Sequence, residues 1–149
     1  MVPKFRCWDK DSKVMRSWED LILTKDDGDD FWLIGYKENA CITSFDHEQI
    51  LMQSTGLKDK NGIVIFEGDV LLHTSSSVNY SDTYWHSYVQ AYRMDNGAYR
   101  IKGKHIYDTE LMSARNRLEI VGNIYQNQNL LDKEYFSTSD GIVEPANEN

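Results

Sequence analysis

The stretch LMQSTGLKDKNGIVIFEGDV, residues 51–70, contains short apolar runs separated by a polar loop. Ile63–Phe66 predicts a strand, because β-branched and aromatic residues favour extended structure. The preceding Asn61–Gly62 pair suits a tight turn, since both residues tolerate a positive φ. Glu67–Asp69 ends the strand and Val70–His73 begins another. This succession of short strands and turns predicts an antiparallel β architecture.

The same pattern continues on both sides of this stretch. Upstream, KFRCW and VMRSW predict a hairpin, with turn chemistry supplied by Asp9, Asp11 and Ser12. Downstream, Asp95–Gly97 is a hairpin turn between two predicted strands, Tyr84–Met94 and Ala98–Lys102. The remaining predictions are strands at Ile50–Gln53, 31–36, 40–43 and 118–124, a Ser-rich loop at 74–82, and one short helix within 106–114.

We therefore predict a mainly β fold, a small barrel or sandwich of short antiparallel strands with at most one or two short helices. Residues 1–131 form its β domain, with a hairpin region at 1–49 and a barrel-like region at 50–131. The Glu-Gly-Asp-Val entry into a strand is common in SH3-like barrels, so the C-terminal half is expected to be SH3-like by analogy. Residues 132–149 are predicted to be a flexible acidic tail.

Composition excludes several classes of protein. At 149 residues with 40% hydrophobic and 12% aromatic residues, the chain can build one core and is not disordered. Its net charge of −8 argues against non-specific binding to nucleic acid or to anionic membranes. No run approaches the ~18 apolar residues of a membrane span, and MVPKFRCWDK lacks the apolar segment of a signal peptide. We expect a soluble protein of the cytoplasm.

Recognisable catalytic and metal-binding motifs are missing from the sequence. Cys7 and Cys41 are not in a CxxC pair, which favours a reducing compartment and small buried side chains. The four histidines are scattered without metal-ligand spacing: His47, His73, His86 and His105. The acidic run 26–30 lacks the EF-hand spacing and is interpreted as a solvated turn. We therefore predict no enzyme and no cofactor; an unrecognised hydrolase or metal enzyme would require histidines and carboxylates to meet in one cleft.

Two segments are candidate binding surfaces, each with a simpler structural interpretation. The loop bearing Lys58, Asp59 and Asn61 is either a recognition loop or a turn, and turn chemistry alone explains its residue types. The second segment lies between Arg93 and Arg117, where six basic residues outnumber three acidic ones. Its candidate residues for following a phosphate backbone and stacking bases are Arg100, Lys102, Lys104 and Tyr107. A solvated strand face is favoured for this segment because the whole chain is acidic.

The predicted strand from Tyr84 to Met94 is dense in aromatic residues. Alternation places Tyr84, Tyr88 and Tyr92 on one face and Trp85 on the other. Tyr and Trp are enriched at subunit interfaces. These four residues are therefore the candidate interface of a homo-oligomer.

Three pieces of the chain carry a family resemblance: KFRCWD (4–9), residues 51–70 and LEIVGNIYQN (118–127). In this order they resemble the YopX family of small bacteriophage and prophage proteins. The resemblance implies a mainly β fold and self-assembly, with no established activity and no catalytic residues to transfer. We therefore predict a phage or prophage accessory protein, a self-associating binding or assembly module with an unidentified phage or host macromolecule as partner. The alternative is a nucleic-acid-binding module that uses residues 93–117.

Overall fold

A computed structural model describes residues 4–25, 32–37, 41–44, 49–76, 82–138 and 141–145. The chain divides into an N-terminal unit, Met1–Ser54, and a C-terminal unit, Thr55–Asn149. The boundary falls a few residues beyond the predicted limit of the hairpin region. Secondary structure is mainly β, as predicted.

Within its described residues, the N-terminal unit contains five strands and the start of a sixth. They are β1 (Phe5–Asp9), β2 (Val14–Arg16), β3 (Leu21–Lys25), β4 (Trp32–Tyr36), β5 (Cys41–Ser44) and β6 (Gln49–Lys58), which continues into the C-terminal unit. The predicted hairpin is confirmed, because β1 pairs antiparallel with β2 and β6 on its two edges. Strands β3, β4 and β5 form a separate antiparallel sheet. Cys7, Leu21 and Ile34 are the buried core of this unit.

A buried aspartate closes the first turn of the N-terminal unit. Asp9 Oδ1 accepts hydrogen bonds from the backbone amides of Asp11, at 3.0 Å, and Ser12, at 3.3 Å. Its Oδ2 accepts the hydroxyl of Tyr36 at 2.9 Å. Burial alone would raise the pKa of Asp9, but these donors stabilise the carboxylate and the pKa is lowered.

The C-terminal unit contains the remaining strands and the single α-helix of the described residues. They are β7 (Val64–Phe66), β8 (Asp69–Ser76), β9 (Thr83–Arg93), β10 (Tyr99–Lys102), β11 (Thr109–Glu110), α1 (Leu111–Ala114), β12 (Leu118–Asn123), β13 (Glu134–Thr138) and β14 (Gly141–Pro145). The predicted short helix and the hairpin around Asp95–Gly97 are both confirmed. Short 3-10 helices lie at Trp18–Asp20, Arg115–Arg117 and Gln128–Asp132.

Strand β9 is the centre of the larger sheet. One of its edges pairs with β8, which pairs in turn with β12. Its other edge is shared by two strands: β13 pairs with Thr83–Ser87 and β10 pairs with Gln90–Arg93. Strands β11 and β14 extend the sheet beyond β10 and β13. All of these pairings are antiparallel. Three strands, β8, β10 and β13, pair directly with β9.

One face of this sheet packs into the hydrophobic core. Alternate residues of β9, Val89 and Ala91, are fully buried there. The other core members are Ile65, Leu71, Ile101, Leu111, Ala114 and Leu118. Burial of these apolar side chains is the main term that stabilises the unit. The apolar positions read from the sequence in β7, β8, β10 and β12 are the ones that fill this core.

The C-terminal residues differ from their sequence-based prediction. Strands β13 and β14 lie in residues 132–149, where the sequence predicted a flexible tail, because β13 gains the backbone hydrogen bonds of a β9 edge. The SH3-like character of the C-terminal half stays a prediction. Among the described residues, no helix has the length and apolar character to cross a membrane.

Candidate functional site

The face of β9 that points away from the core carries a row of aromatic residues. Ser87, Val89 and Ala91 are fully buried on the core side. Side chains alternate along a strand, so the residues between them lie on the opposite face. We call this opposite surface the β9 face: Tyr84, His86, Tyr88, Gln90 and Tyr92, with Tyr135 and Ser137 from β13. The alternation predicted for this strand matches its burial.

His86 occupies the middle of the β9 face. Its Nδ1 lies 2.9 Å from the hydroxyl of Thr74, and its Nε2 lies 2.5 Å from the hydroxyl of Ser137. Its ring stacks on Tyr135, with centroids 4.4 Å apart and planes inclined by 17°. Burial lowers the pKa of His86, and positive Lys60 adds to the shift. His86 is therefore a neutral imidazole at pH 7, with one nitrogen donating to a hydroxyl and the other accepting from one.

Other tyrosines and one carboxylate lie on the same side of the sheet as this histidine. Tyr88 lies directly opposite Leu72 on β8, and Leu72 lies opposite Glu119 on β12. The pKa of Tyr135 is raised by burial first and then by Tyr88 and Glu119. The surface around the β9 face therefore continues across β8 to β12, where Glu119 places a carboxylate near the tyrosine rings.

The four predicted interface residues are not equivalent in the structure. Tyr84 has 39% of its surface exposed. Tyr88 and Tyr92 are half-buried on the same face. Trp85 points to the other side of the strand, where its Nε1 donates to Glu134 Oε2 at 2.8 Å. Three of the four residues therefore share the β9 face, as alternation predicted, and Tyr84 is the most exposed of them.

Three of the six basic residues from Arg93 to Arg117 lie close to acidic partners. Arg93 Nε is 3.0 Å from Glu67 Oε1, and Lys104 Nζ is 3.7 Å from Asp132 Oδ1. Arg100 pairs with the carboxylate of Asp108, which also accepts the hydroxyl of Tyr92.

The hydrogen bonds from Tyr92 and Arg100 hold the pKa of Asp108 below its usual value. Lys102 places its Nζ 4.5 Å from the centroid of the Tyr92 ring. These pairings reduce the positive potential that a phosphate backbone would meet.

Tyr107 stands apart from this charged network, with 96% of its surface exposed. The residues around it are held in place. Ile106 packs against the core. His105 lies 3.5 Å from Glu134 Oε1 through Nδ1 and 3.3 Å from the carbonyl of Asp132 through Nε2. Tyr107 is thus an exposed ring on an attached loop.

The loop with Lys58, Asp59 and Asn61 is organised around the aspartate. Asp59 is only 4% exposed. Its Oδ1 accepts hydrogen bonds from the backbone amides of Asn61, at 2.9 Å, and Ile63, at 3.0 Å. Its Oδ2 accepts a hydrogen bond from the backbone amide of Ile120 at 3.0 Å. Burial would raise the pKa of Asp59, but these backbone donors together lower it. Lys58 and Asn61 are exposed on this loop, and Asp59 holds the loop to β12.

The motif EGDV at 67–70 meets the motif VGNIYQN at 121–127. Asp69 lies opposite Asn123 in the β8–β12 pairing, and the amide of Ile124 donates to the carbonyl of Gly68 at 2.9 Å. Asp69 Oδ2 accepts the amide of Phe66, and Asn123 Oδ1 accepts the amides of Tyr125 and Gln126. Gly68 has a φ of +82°, which explains the glycine there. These side chains cap turns.

Within the described residues, no group of three His, Cys, Asp or Glu side chains has the geometry of a metal site. His86 lies on the β9 face, whereas His73 is buried on β8, 7% exposed, and His105 contacts Glu134. His47 and the acidic run 26–30 lie outside the described residues. Cys7 is fully buried, and burial raises the pKa of its thiol to about 11. That environment suits a small core residue and opposes a nucleophile.

Comparison with known proteins identifies the family. The sequence profile of the YopX family, described as YopX protein, matches residues 4–132. The chain belongs to the YopX family. This YopX-family chain is also similar to the crystal structure of protein EF1440 from Enterococcus faecalis, with 26% identity and a TM-score of 0.57. That match covers 88% of this chain and 99% of the other. No curated protein is significantly similar to the chain.

Sequence reasoning found β9 but missed the residues that complete its outer face. His86 falls on that face by simple alternation, so its position was readable. The positions of Tyr135 and Ser137 could not be predicted, because these residues reach His86 through the pairing of β13 with β9. Ser137 and His86 are 51 positions apart in the chain. Local propensity carries no signal for pairing at that separation.

Proposed function

We propose that this YopX-family protein is a phage or prophage accessory protein that self-associates through the β9 face and acts as an assembly or binding module in the bacterial cytoplasm. The observation that carries the proposal is the row of aromatic residues on the side of β9 away from the core. An antiparallel sheet with one face on a core usually presents polar residues on the other face. Here that face carries Tyr84, His86, Tyr88, Tyr92 and Tyr135.

The chemistry of the β9 face suits a second copy of the chain. Tyrosines bury large areas while their hydroxyls keep hydrogen-bond partners, which is why they are enriched at interfaces. His86 is neutral, and the charged groups beside the face lie at its margins. Lys60 and Glu119 are 3.7 Å apart at one margin, and the charged cluster of Arg100, Lys102 and Asp108 adjoins Tyr92 at another. The centre of the face can therefore be buried against an identical surface without leaving an isolated charge behind.

The test is the mass of the full chain in solution, by light scattering during size-exclusion chromatography over a range of concentrations. We expect a defined multimer for the natural sequence and a smaller mass for Tyr84→Ser. Tyr107→Ser is the matched control, since Tyr107 is an exposed tyrosine that is not one of the residues of the face. A monomer at every concentration overturns the proposal. A multimer that Tyr84→Ser and Tyr107→Ser leave equally intact overturns the assignment of the interface to the β9 face.

A further inference from the structure

Strand β13 pairs with one edge of β9, the central strand of the larger sheet. It pairs with β9 from Glu134 opposite Ser87 to Thr138 opposite Thr83. The other half of the same β9 edge pairs with β10. Backbone donors and acceptors on an edge recruit another strand when they are left unpaired. The edge at Thr83–Ser87 is therefore a strand-acceptor site, and in one chain its occupant is β13.

The attachment of β13 lies outside the hydrophobic core. No residue of β13 is fully buried, and none belongs to the core cluster. By contrast, β8 and β9 supply Leu71, Val89 and Ala91 to that cluster. Release of β13 would thus expose little of the apolar core, and segments with few buried apolar contacts open at low free-energy cost.

The side-chain contacts of β13 are made with residues that stay in the body of the unit. Tyr135 stacks on His86, and the hydroxyl of Ser137 lies 2.5 Å from His86 Nε2. Glu134 Oε2 accepts a hydrogen bond from Trp85 Nε1, and Glu134 Oε1 lies 3.5 Å from His105 Nδ1. All these partners precede β12 in the chain. An identical β13 from another copy would make the same contacts in the same register.

The connection to β13 is short. The 3-10 helix Gln128–Asp132 ends one residue before β13 begins at Glu134, leaving Lys133 as the link. The family match also ends at residue 132. Short links between packed elements favour exchange of an element between identical chains.

We propose that the β13–β14 hairpin exchanges between two copies of this chain, so that β13 of each copy pairs with the Thr83–Ser87 edge of the other. The partner subunit's Tyr135 then stacks on His86, and the β9 face is completed by the second copy. The inference rests on the proposed self-association and specifies how one contact of the assembly is made.

The experiment uses two full-length chains, each with one added cysteine, in a Cys41→Ser background. One carries Thr83→Cys and the other Thr138→Cys, which are cross-strand neighbours in the β9–β13 register. Buried Cys7 stays in place because its thiol is inaccessible. The two chains are mixed, incubated above the concentration at which the multimer forms, oxidised mildly and separated on a non-reducing gel. Each chain alone supplies the background.

Exchange predicts a covalent product of two different chains well above either single-chain background. It also predicts that a double variant, Thr83→Cys with Thr138→Cys, forms covalent multimers. A double variant that closes only within one chain, while light scattering still reports a multimer, overturns exchange and leaves self-association intact. A monomer by light scattering together with closure within one chain overturns both proposals.

Discussion

The carboxylate of Asp59 accepts a hydrogen bond from the backbone amide of Ile120, 61 positions later in the chain, at 3.0 Å. The neighbouring amide of Lys60 donates to the carbonyl of Leu118 at 2.9 Å. The loop thereby pairs with backbone groups of two β12 residues, Leu118 and Ile120. Covering an edge in this way prevents uncontrolled pairing with other chains. Within the family segment 51–70, the Asp59 loop therefore has a structural role, because it is hydrogen-bonded to β12.

Asp59→Ala should destabilise the C-terminal unit by about 3 kcal/mol, because it removes the acceptor of three backbone amides. The measurement is urea unfolding followed by tryptophan fluorescence. Lys58→Ala, at the exposed neighbouring position, should change stability little. Equal effects of the two substitutions would contradict the role assigned to the Asp59 carboxylate.

Stability should fall in acid through Asp9 and Asp59. Both carboxyls have folded-state pKa values below their ordinary values. Their contribution is therefore fully present above the unfolded pKa of about 4 and is lost as pH falls through the lower folded pKa. Urea unfolding from pH 7 to pH 3 should show a shallower decline for Asp59→Asn than for the natural chain. Parallel profiles would count against the lowered pKa of Asp59.

Gly122→Ala should destabilise the β12 end of the sheet by about 2 kcal/mol. A Cβ at Gly122 would overlap the side-chain amide of Asn127, whose Oδ1 accepts the amide of Asn123 at 3.1 Å. A double-mutant cycle with Asn127→Ala separates the overlap from other effects, since the double variant should cost less than the sum of the single ones. Strict additivity would show that the overlap is not the cause.

The thiol of Cys7 should resist modification in the folded chain. It is fully buried and its pKa is raised to about 11, so little thiolate exists at pH 8. In a Cys41→Ser chain, a chromogenic disulfide reagent at pH 8 should report almost no free thiol without denaturant and one thiol per chain in urea. Rapid native-state labelling would show that the strand β1 opens readily.

Binding to single-stranded nucleic acid should be weak at physiological salt, because Arg93, Arg100 and Lys104 already face carboxylates. Fluorescence anisotropy with a labelled oligonucleotide, measured at low and physiological salt, tests this directly. The combined variant Arg100→Ala and Lys102→Ala should then leave the signal unchanged. Tight binding that weakens steeply with salt and is lost in the variant would instead support the nucleic-acid alternative.

Sequence alone determined most strands of this protein before residue 132, because their signals are local. Alternation along β9, the Asn96–Gly97 turn and the apolar run of β7 depend on neighbours a few positions away. The motifs at residues 4–9, 51–70 and 118–127 likewise identified the family. The role of the central motif depends on the tertiary structure, because the Asp59 carboxylate receives its third hydrogen bond, from Ile120, only when β12 lies beside the loop.

Tertiary structure alone decided which residues complete the outer surface of β9. The sequence of residues 132–149 is acidic and poor in apolar residues, so its local pattern indicated a tail. Pairing with a β9 edge supplies the backbone hydrogen bonds that local propensity does not, and it carries Tyr135 onto His86. Strand pairing depends on which edges are open in the folded sheet, and that information exists only once distant segments have met.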